Sequence, residues 1–314
     1  RMSRGLGDVY KRQHYMDYQA NFFKQCGQSR FSMLADNVKQ PFNEYLGLLL
    51  NFGIIGLLVL LLLMVIIIYC YRKNPSVEKQ IAFYSLSSIG IFSFFSYPFA
   101  YPFVWVVTFL SIFIITSEYI KPLFSNILIK KIACMFILTY SLFGSSKLFE
   151  RIQAELDWGK ASTLALCKSY NETLPTYERL EKMFVSNPYF LYNYAAVLQE
   201  MKQYTESLEV ALKCRQYWAD YDLELIIGEN YQQLNKPELA EKYYNSASMM
   251  CPSRFLPLYK LFHLYKTNGE KERSLAMAEA VISKPMKIKT TTIRMMKREM
   301  EREIQKMNMS IKLE

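Results

Sequence analysis

The sequence predicts an all-α protein in which a polytopic transmembrane helical region is followed by an α-solenoid of helical repeats. Two observations predict this fold class. Residues 1–149 contain long apolar runs with few charges, whereas residues 150–314 are polar, charged and helical in pattern. The second half also repeats itself with a period of about 34 residues. The mean hydropathy of the whole chain is close to zero because it averages these two unlike halves.

The charge distribution excludes several classes of function. The chain has 38 Lys and Arg against 28 Asp and Glu, but residues 150–314 hold 24 basic and 22 acidic residues and are nearly neutral. Most of the excess therefore lies beside the apolar runs, where basic residues are typical of cytoplasmic loops. No compact basic patch carries interleaved aromatic residues, so we expect no nucleic-acid partner. Six scattered cysteines and two distant histidines predict no metal site and no cofactor.

The start of the chain differs in character from the rest of the sequence. Residues 1–13 have no periodicity, and Arg1 is not an initiator methionine. We interpret residues 1–13 as a non-native leader and the remainder as the C-terminal part of a longer protein. Residues 14–45 are then predicted to form an extracytoplasmic loop with a short helix. Tyr15, Tyr18, Phe22 and Phe23 are spaced to line one face of that helix, which we expect to lie on a membrane surface.

Residues 46–146 predict a transmembrane region of about four helices. The run Leu46–Tyr71 carries no charge and is longer than the roughly 20 apolar residues that a helix needs to cross a bilayer. Shorter apolar runs follow at 81–95, 103–116 and 132–143.

The loops between these runs predict the orientation of the chain in a membrane. Basic loops at 72–79 and 118–131 alternate with an uncharged, aromatic turn at 97–102. Because basic loops stay in the cytoplasm, residues 14–42 and the repeat domain are expected on the outer side. An odd number of spans would reverse the side of the repeat domain.

Residues 150–314 contain the repeats. One unit has seven residues at fixed offsets: Ile227, Gly228, Tyr231, Ala240, Tyr244, Ala247 and Pro252. Weaker units in the same phase precede and follow it, and Asn187-Pro188 ends an earlier, degenerate unit. This pattern resembles the tetratricopeptide repeat, in which small residues let paired helices approach closely. The polar helix from Thr291 to Asn308 is expected to cap the array.

Residues 14–143 resemble the C-terminal part of the O-antigen ligase/polymerase superfamily of bacterial membrane glycosyltransferases. The motifs that carry the resemblance are Gln19-Ala20-Asn21-Phe22-Phe23, Asn43-Glu44-Tyr45-Leu46, Gly53-Ile54-Ile55-Gly56-Leu57 and Tyr97-Pro98. The resemblance implies transfer of a glycan from an undecaprenyl-diphosphate carrier to an acceptor at the periplasmic face of the bacterial inner membrane. That activity serves lipopolysaccharide and cell-envelope synthesis. The repeats would recruit a protein or lipid acceptor or another partner, and we expect the fragment alone to be inactive.

The resemblance also suggests site residues. Glu44 and Asn43 are the catalytic candidates, because an acceptor hydroxyl needs a base or a positioning acceptor. Arg30, Gln19 and Tyr45 are the substrate-binding candidates, and the Arg30 guanidinium suits a diphosphate. In the family a His often precedes the Asn, but Phe42 occupies that position here.

Other interpretations remain open from the sequence. Asn43 and Glu44 also suit the cap and first turn of a helix, and Arg30 suits a solvated or lipid-facing loop. The whole protein could instead be a non-catalytic scaffold anchored by its apolar helices, or an O-antigen polymerase that extends the glycan.

Overall fold

The computed structural model describes residues 15–27, 29–37, 42–120 and 127–311. None of these described residues lies in a β-strand, so the predicted all-helical class is confirmed for them. The chain divides into two compact units. The first contains residues 39–153, and the second contains residues 13–38 together with residues 154–314.

Helix α1 (Tyr15–Cys26) belongs to the second unit, and α2 (Glu44–Lys73) opens the described part of the first. The α2 helix begins after Asn43, whose side chain caps it, and ends in Arg72 and Lys73. Basic residues at this end are favourable because the C-terminus of a helix carries a partial negative charge. Gly53 interrupts it with φ +65° and ψ −162°, a conformation that glycine adopts without the steric cost of a Cβ. The apolar run is therefore two helical segments in sequence.

Helices α3 (Val77–Phe92) and α4 (Pro102–Ile120) complete the packed part of the first unit, with a 3₁₀ turn at Pro98–Ala100 between them. Ile67, Cys70, Ala82 and Ile115 form their small buried cluster. Beside it the buried Lys79 ammonium lies 3.0 Å from both Glu118 and the Asn74 carbonyl oxygen. A single cation thus joins the ends of three helices.

Two of these helices, α2 and α4, are long and apolar enough to cross a membrane. The predicted second apolar run lies in α3, which has only 16 residues. The predicted fourth run lies in the first part of α5 (Ile127–Leu166), a continuous helix of 40 residues. The prediction of about four spans is therefore supported by length and composition for two helices.

The second unit consists of helices stacked in sequence order. The last part of α5 packs with α6 (Tyr170–Leu180), and three further pairs and a final helix follow. These are α7 (Pro188–Glu200), α8 (Tyr204–Tyr217), α9 (Tyr221–Gln233), α10 (Pro237–Met250), α11 (Leu256–Thr267), α12 (Lys271–Ser283) and α13 (Thr291–Ile311). Consecutive helices make the most extensive contacts. The final helix packs against α12 through Met300 and its neighbours, as expected for a cap.

The turns within the pairs repeat in detail. Lys168, Lys202, Asn235 and Gly269 all have positive φ, and they follow one another at intervals of 34, 33 and 34 residues. At each turn the next amide donates to a carbonyl oxygen five residues earlier, closing the first helix of the pair in the same way. The predicted tandem helical repeat is confirmed by this period in the backbone, which also includes the degenerate first unit.

Close packing inside the pairs explains the small residues of the sequence pattern. A Cβ placed on Gly228 would lie 2.6 Å from the ring of Tyr244, so α9 and α10 approach at a spacing that only glycine permits. Ala240 and Ala247 on the same helix are fully buried. The small residues of the repeat pattern therefore stand where the paired helices are in close contact.

Candidate functional site

The predicted catalytic residues lie together where α2 begins. Asn43 accepts a hydrogen bond from the Leu46 amide at 2.9 Å and donates one to the Phe94 carbonyl oxygen at 2.9 Å. A Glu44 carboxylate oxygen accepts from the Phe99 amide at 3.2 Å.

The neighbouring backbone and side chain complete this arrangement. The Glu44 amide donates to the Ser93 carbonyl oxygen at 3.0 Å, and the Tyr45 hydroxyl donates to the Gly90 carbonyl oxygen at 2.8 Å. All three predicted side chains therefore bind the backbone of residues 90–99. This geometry includes the helix cap that the sequence left open as the alternative, and it attaches the start of α2 to the turn after α3.

The other two predicted residues belong to the second unit. Gln19 donates to the carbonyl oxygens of Met250 and Asp36, so it joins α1, the following turn and the end of α10. Arg30 is exposed, with its guanidinium carbon 4.9 Å from the centre of the Phe31 ring. The five predicted residues are thus divided between the two units, with Gln19 in a structural role.

The second unit contains a binding arrangement that the sequence did not predict. The described residues of 15–37, called here the docked segment, pack against the repeats, chiefly through α1 on α10. Met16 and Phe23 on α1 are 1% and 5% exposed, and Met16 joins the apolar core that contains Tyr244 and Met250. A helix far away in sequence therefore contributes to the core of the repeats.

An ion-pair network attaches α1 to the repeats. Arg215, on α8, pairs with both carboxylate oxygens of Asp17, with the shorter contact at 2.5 Å. The same guanidinium binds Glu224 on α9, whose side chain is only 1% exposed. Burial raises the pKa of Glu224, although the adjacent Arg215 charge favours the ionised form. Arg215 therefore links one buried carboxylate of the repeats to one carboxylate of the docked segment.

A second set of contacts attaches the end of the docked segment. Arg254 binds Asp36 at 2.7 Å, and Lys287 lies 3.7 Å from the same carboxylate. The Asn37 amide group donates to Asp220 at 2.9 Å, where Asp220 is the cap of α9. These contacts are with loops between successive repeats, so the docked segment crosses more than one repeat.

Part of this arrangement had a detectable signal in the sequence. Met16, Ala20 and Phe23 follow one another at helical spacing and mark a second apolar face on α1. The structure assigns Phe23 to this buried face, separate from exposed Tyr15, Tyr18 and Phe22, so the prediction that all four share one face is wrong for Phe23. No local signal pairs Asp17 with Arg215, because pairing of charges far apart in sequence has no periodicity.

Within the described residues, no cluster of three or more His, Cys, Asp or Glu side chains could hold a metal ion. The arrangement of the second unit is suited to holding a polypeptide, through a buried apolar strip flanked by arginines. The second unit is therefore an all-helical repeat structure, and the segment that packs against it is part of the same chain.

Comparisons with known proteins find solved structures that are similar to part of this chain. No protein-family model and no curated protein matches the chain. YrrB, described as a TPR protein with an unusual peptide-binding site, is 18% identical to this chain, with a TM-score of 0.37. The match covers 41% of this chain and 66% of YrrB, so this chain spans less than two thirds of the length of YrrB. MamA is 13% identical with a TM-score of 0.39, over 49% of this chain and 89% of MamA. A MamA RS-1 double mutant is 16% identical with a TM-score of 0.37, and the match covers 48% of this chain and 76% of the mutant.

Proposed function

We propose that this protein is a membrane-anchored helical-repeat scaffold whose repeat unit binds polypeptide segments. The observation that carries the proposal is the docked segment: the repeats already hold residues of their own chain through buried Met16 and through the pairs of Arg215 and Arg254. A surface that buries apolar side chains beside fixed charges is the usual basis of peptide recognition by helical grooves.

The proposal of membrane anchoring rests on the composition and exposure of α2 and α4. In the most apolar window of each helix only 6% and 11% of the residues are buried within the structure. A core helix of a globular domain would bury most of such a window. Leucine and isoleucine side chains exposed along a helix of this length are suited to lipid.

Fractionation of the full chain in a bacterial host tests this proposal. We expect the protein to stay with membranes after alkaline carbonate extraction. Arginine at Leu58 and Leu62, both exposed on α2, would reduce membrane insertion because a charge in the hydrocarbon costs about 3 kcal/mol per residue. Release of the unaltered chain by carbonate would contradict the anchoring.

A matched variant tests binding of the segment. Met16→Asp would bury a carboxylate in an apolar site, so residues 15–37 should become accessible to protease while the protein stays in the membrane. Lys24→Asp, at an exposed position of the same helix, serves as the control. Equal protease resistance of the unaltered chain and Met16→Asp would contradict the binding role.

A second candidate function is the glycosyl transfer that the sequence resemblance implies. The full-length protein would then be a multi-pass inner-membrane enzyme that uses an undecaprenyl-diphosphate-linked glycan, as a ligase or a polymerase, with periplasmic repeats that bind the acceptor or a protein partner. The supporting observation is that Asn43 and Glu44 lie at the mouth of an apolar helix that is broken at Gly53. Interrupted helices of membrane proteins often line a substrate site.

Complementation of a ligase-deficient strain with the full-length gene tests this second candidate. If Glu44 is the base, Glu44→Gln should lower glycan transfer by about 10²-fold or more. Glu78→Gln, in the first turn of α3, makes the same chemical change at another helix start and should leave transfer unchanged. Full activity of Glu44→Gln would contradict a role as the base, and Glu44 would then serve only to bind the Phe99 amide at the start of α2.

A further inference from the structure

The docked segment has a second apolar surface, which faces away from the repeats. Tyr15, Tyr18 and Phe22 lie on one face of α1, and Phe31 and Leu34 extend this face from the following turn. Their exposed fractions range from 43% for Phe22 to 72% for Leu34. The five side chains, called here the aromatic surface, are all within the second unit.

We propose that the aromatic surface lies in the interface of the lipid bilayer, so that the repeats are attached to the membrane surface as well as through the spanning helices. The inference rests on the proposed membrane anchoring and adds to it a second, peripheral contact. The occupant of the surface is lipid, and the residues that contact it are those named above together with Arg30.

The first argument is that the aromatic surface is held rigidly in an exposed orientation. The other face of α1 is buried through Met16 and Phe23, and Asp17 is paired with Arg215. Rotation of α1 that would bury Tyr18 or Phe22 would expose these apolar residues and break the ion pair. The contacts of α1 with the repeats therefore keep these large aromatic side chains exposed to solvent, which is typical of an interaction surface.

The second argument is chain continuity with α2. Only six residues separate Asn37 from Glu44, the first residue of α2. That connection reaches at most about 25 Å, since an extended chain advances about 3.3–3.6 Å per residue. A bilayer that contains α2 is thus within reach of the docked segment.

The third argument is the chemistry of the surface. Tyrosine and other amphipathic aromatic residues are enriched where a protein meets the head-group region. The acidic residues of the docked segment, Asp17 and Asp36, are both paired with arginines of the repeats. Arg30 is exposed in the turn that carries Phe31 and Leu34, so the charge beside the aromatic surface is positive and favours anionic lipid phosphates.

Spin labels on single cysteines of the full chain in phosphatidylethanolamine and phosphatidylglycerol vesicles test the proposal. Every cysteine other than buried Cys70, Cys214 and Cys251 is first replaced by alanine. Labels at Phe22→Cys and Phe31→Cys, with Leu34→Cys as a further site, are compared with two references. Leu62→Cys on α2 is the lipid reference, and Met295→Cys, an equally apolar and exposed position on α13, is the water reference.

The accessibility of each label to oxygen and to a water-soluble nickel chelate distinguishes the outcomes. We expect labels at residues 22 and 31 to gain oxygen accessibility and lose nickel accessibility on reconstitution, as at residue 62. Nickel accessibility at residues 22, 31 and 34 equal to that at residue 295, with residue 62 in lipid, overturns this inference but leaves the anchoring intact.

Two other outcomes also overturn the inference. Protection of residues 22 and 31 from both reagents would show that a protein surface, such as a second copy of this chain, covers the aromatic surface. Aqueous accessibility at residue 62 would mean that the proposed membrane anchoring itself is wrong.

Discussion

At the scale of single residues, the contact between Gly228 and Tyr244 sets the distance between two helices. A Cβ at residue 228 would meet the Tyr244 ring at 2.6 Å. We predict that Gly228→Ala lowers the free energy of unfolding by about 1–3 kcal/mol, the usual cost of overpacking. Gly159→Ala is the control, because a Cβ there meets nothing within 4 Å and alanine favours helix. Urea unfolding measures both, and equal effects would contradict the steric explanation.

Arg215 is the residue whose loss should cost most in the docking arrangement. Its removal leaves Glu224 buried without a counter-charge, so Arg215→Met should lower the free energy of unfolding by about 3–5 kcal/mol. Arg254→Met removes a pair whose side chains are 52% and 41% exposed, and it should cost less than about 1 kcal/mol. The same unfolding experiment compares them. A larger loss for Arg254→Met would be inconsistent with burial as the deciding factor.

At the scale of elements, the turns between paired helices contain removable strain. Lys202 and Asn235 have φ of 62° and 53°, in the region where a Cβ crowds the following carbonyl group. Lys202→Gly should therefore raise the free energy of unfolding by up to about 1 kcal/mol. Gly269→Ala, at the equivalent turn, should lower it by a similar amount. Thermal unfolding of the two variants checks this, and changes of the same sign would refute equivalence of the turns.

The docked segment should respond to acid through Asp36. Burial alone would raise the pKa of Asp36, but hydrogen bonds from Arg254 and the Asn37 amide, with the Arg254 and Lys287 charges, lower it below 3.8. The stabilisation that ionised Asp36 gives to docking is therefore present above about pH 3.8, and it is lost as the pH falls through the pKa of Asp36 in the docked state. A fluorophore on exposed Cys26, with Cys134 and Cys167 replaced by alanine, should lose anisotropy in that window.

Asp36→Asn is the control for the acid response. Its anisotropy should be lower at neutral pH and should change little in the same pH window, because the ionisable partner of Arg254 is absent. An unchanged acid response in Asp36→Asn would show that Asp36 does not control the release of the docked segment.

At the scale of the whole molecule, the proposed topology can be tested directly. Arg72 and Lys73, the last residues of α2, favour the cytoplasm for the loop that follows this helix. With either two or four spans, residues 150–314 are then outside it. A periplasm-active reporter fused after Glu314 should be active, and a cytoplasm-active reporter at the same position should be inactive. The reverse pattern would mean an odd number of spans.

The sequence by itself determined the features that depend on near neighbours in the chain. Hydropathy separated the apolar half from the repeats, and the period of about 34 residues located Gly228 and Tyr244 in a helix pair because side chains at fixed offsets meet locally. The structure confirms the helical class and the repeat for the described residues. The candidate residues Asn43 and Glu44 were found from the sequence, but their bonds to residues 90–99 were not.

Only the tertiary structure decided where residues 15–37 lie. Asp17 and Arg215 are 198 positions apart, and no periodicity links charges across such a distance. Both faces of α1 are apolar, so its sequence alone does not specify which face is buried. The repeats select the Met16 face because it brings Asp17 to Arg215 and Asp36 to Arg254 at the same time, and this selection leaves Tyr18 and Phe22 exposed.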